Sequence, residues 1–103
     1  MMAATARSFD AQTLARIAEI LKCIAHPARL SVVEALEEHE RLAVSELREH
    51  TGLEQSLLSH HLIKMKDKGL LVSERQGKNI FYSLKDRHIV RIFDCMEKCE
   101  LLS

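Results

Sequence analysis

Three cysteines and six histidines are the side chains of this 103-residue chain best suited to bind a metal or react. Cys95 and Cys99 are spaced i, i+4, so on a helix their sulfurs share one face and could bind one soft ion together. The same spacing makes a poor intrahelical disulfide, because a regular helix aims the two Cβ vectors along its axis. Cys23 ends an expected first helix that should pack near the last one. Three thiols in one neighbourhood would suit As(III), Sb(III) or Cd(II) as well as Zn²⁺, and a pair of them could instead answer oxidants or persulfides. A plainer reading stands beside this: free cysteine often serves as a small buried hydrophobe. Among the histidines, His26 belongs to a helix junction, His39 and His50 sit among charges, and His61 points to a helix flank. No glycine-rich phosphate loop, nucleophile elbow or paired carboxylates suggest an enzyme.

A second set of polar residues suits a phosphate backbone and base edges. Val44 to His50 reads as a short helix opening at Ser45, an expected N-cap, and closing at Thr51-Gly52. After a turn, Ser56 to Lys68 reads as a second helix that Gly69 ends. Leu58, Leu62 and Met65 fall on its core face, while Ser56, Ser59, His60 and Lys64 fall on the other. Small hydroxyl side chains near the start of such a helix let its backbone approach the major groove closely. The β-rich runs Leu70–Arg75 and Ile80–Leu84 follow, joined by the four residues Gln76-Gly77-Lys78-Asn79. Arg75 and Lys78 then lie near a hairpin tip, where two long cations could reach phosphates or a minor groove. A helix-turn-helix followed at once by a charged hairpin is a winged helix that fits duplex DNA.

The charge distribution agrees with that reading. Net charge is zero, which by itself argues against non-specific nucleic-acid binding. Residues 61–91 nevertheless hold eight Lys/Arg against three acids, a balance of +5, whereas residues 1–60 stand at −3 and residues 92–103 at −2. Basic charge is concentrated around the expected reading head.

Two helices come first and one comes last. Leu14, Ile17, Ala18, Leu21 and Ile24 repeat at helical spacing from about Asp10, until His26-Pro27 interrupts them. Pro27 suits the first turn of a helix carrying Leu30, Val32, Val33 and Leu36. Asp86 is a good N-cap for a last helix with Ile89, Ile92, Phe93 and Met96. The expected fold is therefore mainly α with a small β-hairpin, one domain over residues 10–103, with residues 1–9 disordered. A chain this short buries only about 60 to 65% of its unfolded surface, so a partner copy docking through the first and last helices would add core. Two-fold symmetry would set two recognition helices ~34 Å apart on a palindromic operator. No apolar run is long enough for a bilayer, no signal peptide is evident, and an odd cysteine count argues against a disulfide framework, so a cytosolic protein with reduced thiols and no membrane partner is expected.

Leu21-Lys22-Cys23-Ile24-Ala25-His26-Pro27-Ala28-Arg29-Leu30, Ser56 to Leu62 and Arg75 to Leu84 resemble the ArsR/SmtB family of bacterial winged-helix repressors. That resemblance implies a homodimer on an operator palindrome, released by a metal ion, a metalloid or a reactive sulfur species. It places Ser56, Ser59 and His60 against bases and phosphates, and Arg75, Gln76 and Lys78 in the wing. One family sensor site, a cysteine pair in the first helix of the DNA-binding motif, is missing from Leu42-Ala43-Val44-Ser45-Glu46-Leu47. Another begins with Asp-x-His at the start of the last helix, which Asp86-Arg87-His88 matches. Its second half departs, with Cys99 and Leu102 where the remaining ligands would stand. Asp86, His88 and Cys99 still offer oxygen, nitrogen and sulfur, a set compatible with tetrahedral Zn²⁺ or a similar ion if Cys95 supplies the fourth ligand.

The expected function is a DNA-binding repressor with a thiol-containing allosteric site. The alternatives are a winged-helix protein-interaction module without DNA binding, a thiol redox regulator with no metal, and a small thiol carrier. The last lacks the Cys-x-x-Cys spacing such chemistry prefers.

Overall fold

A computed structural model describes residues 7–102, so the part of the expected disordered segment over residues 1–6 lies outside the described residues. Asp10 opens α1 (Ala11–Ile24) by accepting the Thr13 N–H at 2.7 Å. The residue before a proline is pushed into extended backbone, and His26 adopts φ −153°, ψ 127°. It then caps α2 (Pro27–Glu38), its Nδ1 accepting the Ala28 N–H at 3.2 Å, with Pro27 at the helix start where no N–H is needed.

The start of the helix-turn-helix differs from expectation. Leu42–Ala43 forms a strand, β1, so α3 (Val44–Thr51) is capped at Ala43 and not at Ser45. The ladder dictates this: Leu42 and Ala43 pair with Tyr82 and Phe81, which keeps the chain extended up to Ala43. Alanine has no side chain to cap with, and the ordering bond comes from the other half of a capping box: Glu46 Oε1 reaches back to accept the Ala43 N–H at 2.8 Å. Gly52 closes α3 in the left-handed conformation, φ 72°. Then α4 (Gln55–Asp67) begins one residue earlier than expected, because Glu54 caps it by accepting the Leu57 N–H at 3.1 Å.

β2 (Leu71–Gln76) and β3 (Asn79–Leu84) form the hairpin, and β1 adds to its β3 side, giving an antiparallel sheet in the order β1-β3-β2. Pairing runs on to Gln76↔Asn79, so the connection is two residues, Gly77-Lys78, and not the expected four. Gly77 has φ 64°, as a tight hairpin turn with glycine at its first central position requires.

The core sits where α2, α3 and α4 meet the sheet. Val32, Leu36, Leu47, Leu58 and Met65 are fully buried, and Val33, Leu62, Leu71 and Leu84 nearly so. Each large side chain of this kind contributes about 1.5 to 3 kcal/mol of burial free energy. The expected last helix is split. Asp86 caps a 3₁₀ turn, Arg87–Val90, and only Arg91–Lys98 is α-helical (α5), followed by a second 3₁₀ turn at Glu100–Leu102. No residue of α5 is buried, although Ile92 and Phe93 lean on the core.

The two ends of the chain leave apolar surface uncovered. Leu14 is 52% exposed and Leu21 45%, and Leu101 and Leu102 are more so. The radius of gyration is 15.6 Å, against about 13 Å for a compact domain of this length. No helix among the described residues is long and apolar enough to cross a membrane.

Candidate nucleic-acid interface

α4 presents its polar face as the apolar spacing requires. Leu58, His61, Leu62 and Met65 turn inward, and Ser56, His60 and Lys64 are exposed, while Ser59 is half-buried. Ser59 lines a groove of about 330 Å³ between α3, the first turn of α4 and the hairpin tip, together with Ser45, Arg48, Gln55, Lys78 and Asn79. Arg48 Nη1 donates to Gln55 Oε1 at 3.4 Å across it. The groove thus brings a helix start, two hydroxyls and two cations together, donors suited to phosphate oxygens.

The hairpin tip is held from the side. Arg41, just before β1, donates from Nη1 to Glu74 Oε1 at 3.0 Å and from Nη2 to Gln76 Oε1 at 3.3 Å, and its guanidinium carbon lies 4.5 Å from the Phe81 ring centroid. Gln76 is therefore engaged by Arg41. Arg75 Nε donates to Gly77 O at 3.3 Å, and Arg75 and Lys78 are both exposed.

Several members of this surface escaped sequence reasoning. Leu57 is 45% exposed and Ile63 is 55% exposed on α4, giving the reading helix apolar contact points beside its hydroxyls. Gln55, just ahead of the helix expected from Ser56, is the first residue of α4. Arg41 and Arg48 carry no motif, since their roles depend on strand pairing and helix crossing. His61 was legible: it lies three residues after Leu58 and four before Met65, both core positions, so the helical wheel places it inside. It is 3% exposed, not on a flank. Burial, followed by the nearby His26, Arg29 and His60, pushes its pKa down from the ordinary 6.5.

The residues read as a sensor are dispersed within one chain. Asp86 Oδ1 accepts the His88 N–H at 2.9 Å and lies 2.7 Å from His88 Nδ1, and that backbone N–H chiefly lowers the Asp86 pKa. Cys95 is exposed on α5 and Cys99 half-buried. Cys99 is the C-cap, with ψ 137°, and its N–H bonds to Met96 O at 3.2 Å, so the expected helical turn joining it to Cys95 is not closed. Cys23 takes the plainer role, buried at the end of α1 in the core, where its Sγ receives Arg29 Nη1 from α2 at 3.6 Å. Among the described residues no three His, Cys, Asp or Glu side chains are grouped to hold a metal. Asp86, His88, Cys95, Cys99 and Cys23 therefore do not fit Zn²⁺ or a thiophilic ion inside a single chain.

Comparison with known proteins agrees with the fold. The family model described as bacterial regulatory protein, arsR family, matches residues 26–73, from the start of α2 into β2. The HTH-type transcriptional regulator NmtR of Mycobacterium tuberculosis is 39% identical over 85 residues, 82% of this chain and 70% of that protein. The transcriptional repressor PagR of Bacillus anthracis is 44% identical over 69 residues, 67% of this chain and 69% of that one. The crystal structure of PagR superposes with a TM-score of 0.74 at 37% identity, covering 84% of this chain and 99% of PagR. A homodimeric winged helix-turn-helix DNA-binding domain from Mycobacterium bovis, a possible ArsR-family regulator solved by NMR, gives 0.73 at 25% identity, covering 90% of this chain and 87% of that one. The winged helix, its three-stranded sheet and these matches agree: the chain belongs to the ArsR family of bacterial regulatory proteins.

Proposed function

We propose that this protein is a homodimeric transcriptional repressor that binds a palindromic operator in double-stranded DNA. The observation that carries the reading is the groove where Ser59, Gln55 and Arg48 of the helix-turn-helix meet Lys78 of the wing. The outward face of α4, with Ser56, Ser59, His60 and Lys64, enters the major groove, and Arg75, Gln76 and Lys78 follow the flanking backbone. The exposed Leu14 and Leu21 of α1 and the exposed C-terminal Leu101 and Leu102 support a second copy packing over both ends of the chain. The homodimeric state of the similar Mycobacterium bovis domain supports a dimer.

We place inducer sensing in the C-terminal segment, where the Asp86–His88 pair and the Cys95 thiol are exposed. Because one chain does not gather these groups, the sensor draws on both subunits or on the thiols alone. Thiol chemistry at Cys95 and Cys99 without a metal is the second reading, favoured by the exposure of Cys95.

Fluorescence anisotropy with the protein's own upstream DNA tests the first claim. Arg75→Ala and Lys78→Ala should weaken binding to all sequences and each lower the salt slope by about one. Ser56→Ala and His60→Ala should also relax sequence preference. Equal behaviour of both pairs would refute this division. Adding Zn²⁺, Cd²⁺, As(III), Sb(III) or a persulfide donor to the complex should release DNA from the wild type and not from Cys95→Ser or Cys99→Ser; release that survives both substitutions would remove the thiols from sensing.

A further inference from the structure

His61 is the sole buried polar or charged side chain among the described residues, and its surroundings are built around one ring nitrogen. Arg29 Nε donates to His61 Nδ1 at 3.0 Å. A guanidinium has no acceptor, so Nδ1 must be the bare nitrogen of a neutral ring and the ring proton must sit on Nε2. Nε2 itself is buried and has no hydrogen-bond partner among the described residues. The other end of the guanidinium is fixed as well: Nη1 donates to Cys23 O at 2.9 Å and to Cys23 Sγ at 3.6 Å. Arg29 is thus a strut from the end of α1, through α2, to the middle of the recognition helix.

The surroundings oppose a charge on His61. Its ring packs 4.5 Å from that of His26, from the α1–α2 junction, and 5.7 Å from that of His60 on its own helix. With Arg29 from α2, the ionisable groups bearing on it are all positive when charged. A proton arriving from solvent at Nδ1 would turn the acceptor into a donor facing the Arg29 N–H and set two cations in contact. The Arg29–His61 hydrogen bond is lost, and with it the polar link from α4 through Arg29 to the end of α1, while the buried Leu58, Leu62 and Met65 keep α4 in the core.

We propose that Arg29 and His61 form a proton-operated clamp: neutral His61 seats the recognition helix against α1 and α2, and protonation at Nδ1 releases Arg29 and loosens that helix. Both are positioning residues, since His61 faces inward and the DNA-facing side chains are its neighbours His60 and Ser59. The clamp rests on the DNA-binding reading only for its effect on operator affinity.

Its test has two arms. In free protein, ring-nitrogen NMR should show Nδ1 unprotonated at about pH 8 and His61 titrating below about 6.5, with amide exchange along α4 rising in step. His61→Gln, whose amide oxygen can accept from Arg29 at every pH, should keep α4 protected through that range. Arg29→Gln, a second variant, should move the His61 titration up towards the ordinary value. His60 lies on the proposed DNA-facing side of α4, so operator binding is read in a His60→Gln background to leave His61 as the histidine under test. There affinity should fall on the order of five- to tenfold between about pH 8 and about pH 5, and adding His61→Gln should flatten that fall. An ordinary His61 titration with α4 exchange unmoved, or a pH step that survives His61→Gln, would overturn the clamp. If no operator DNA binds at about pH 8 the functional reading fails, and the free-protein arm still decides the clamp.

Discussion

Arg41 lies over the Phe81 ring at 4.5 Å, and the same guanidinium holds Glu74 at 3.0 Å, so one side chain grips both long strands of the wing. Phe81 is on β3 and Glu74 opposes it on β2 in the ladder. Arg41 therefore braces a two-residue hairpin whose tip must hold its cations in place.

Removing that brace should affect binding more than stability. Arg41 and Glu74 are well exposed, and such pairs contribute about 0 to 1 kcal/mol, with a similar increment for an exposed cation–π contact. Arg41→Ala should lower thermal stability slightly, speed amide exchange in the outer half of the hairpin, and weaken DNA binding at all sequences. Unchanged exchange at Glu74 to Phe81 would show that the sheet alone orders the wing.

Leu57 should report on base reading. It is 45% exposed, so Leu57→Ala should change stability by no more than about 0.5 kcal/mol. An apolar side chain at the start of a recognition helix can contact a thymine methyl. The substitution should therefore weaken operator binding while leaving binding to unrelated DNA in place. Equal losses on both would assign Leu57 to general backbone contact.

Leu21→Glu tests the uncovered face of α1. Leu21 is 45% exposed in the single chain, so a charge there costs the isolated fold little. In a dimer it would be buried without a partner, a severe penalty. Sedimentation should show a monomer with native circular dichroism that binds the operator weakly. A dimer that persists would move the interface away from α1.

Acid should weaken the helix starts. The Asp10 carboxyl is lowered by the Thr13 hydroxyl and N–H, Glu54 by the Leu57 N–H, and Asp86 by the His88 N–H. Each folded-state pKa is below its ordinary value of 3.8 or 4.5, so the stabilisation is complete above those values and is lost as pH falls through the lower, folded ones. His61 adds a loss that begins higher, below about 6.5, because the unfolded chain takes up that proton more readily. A thermal-melt series against pH should show both steps. Glu54→Gln should shrink the lower one, and His61→Gln should remove the upper.

Local signals account for the order and type of nearly every element. Proline after His26, glycine at 52 and 69, and the spacing of Leu58, Leu62 and Met65 set helix ends and faces through backbone sterics and burial, which act within a few residues. The reading surface of α4 and the cations Arg75 and Lys78 followed from the same patterns. What the sequence left open is what distant partners decide. β1 exists because Tyr82 and Phe81 offer it a ladder, and that pairing moved the α3 cap from Ser45 to Ala43. The last helix shrank to α5 because Asp86 closes a 3₁₀ turn and Cys99 takes extended backbone, so a thiol pair implied by i, i+4 spacing lost its closed turn. His61 and Arg29 are 32 residues apart, so helical spacing can place His61 inside, but only the packing of α2 on α4 supplies the donor that makes it an acceptor. Spacing along the chain fixes which face a residue occupies, whereas the choice of neighbour, and with it charge state and chemistry, is made by long-range packing.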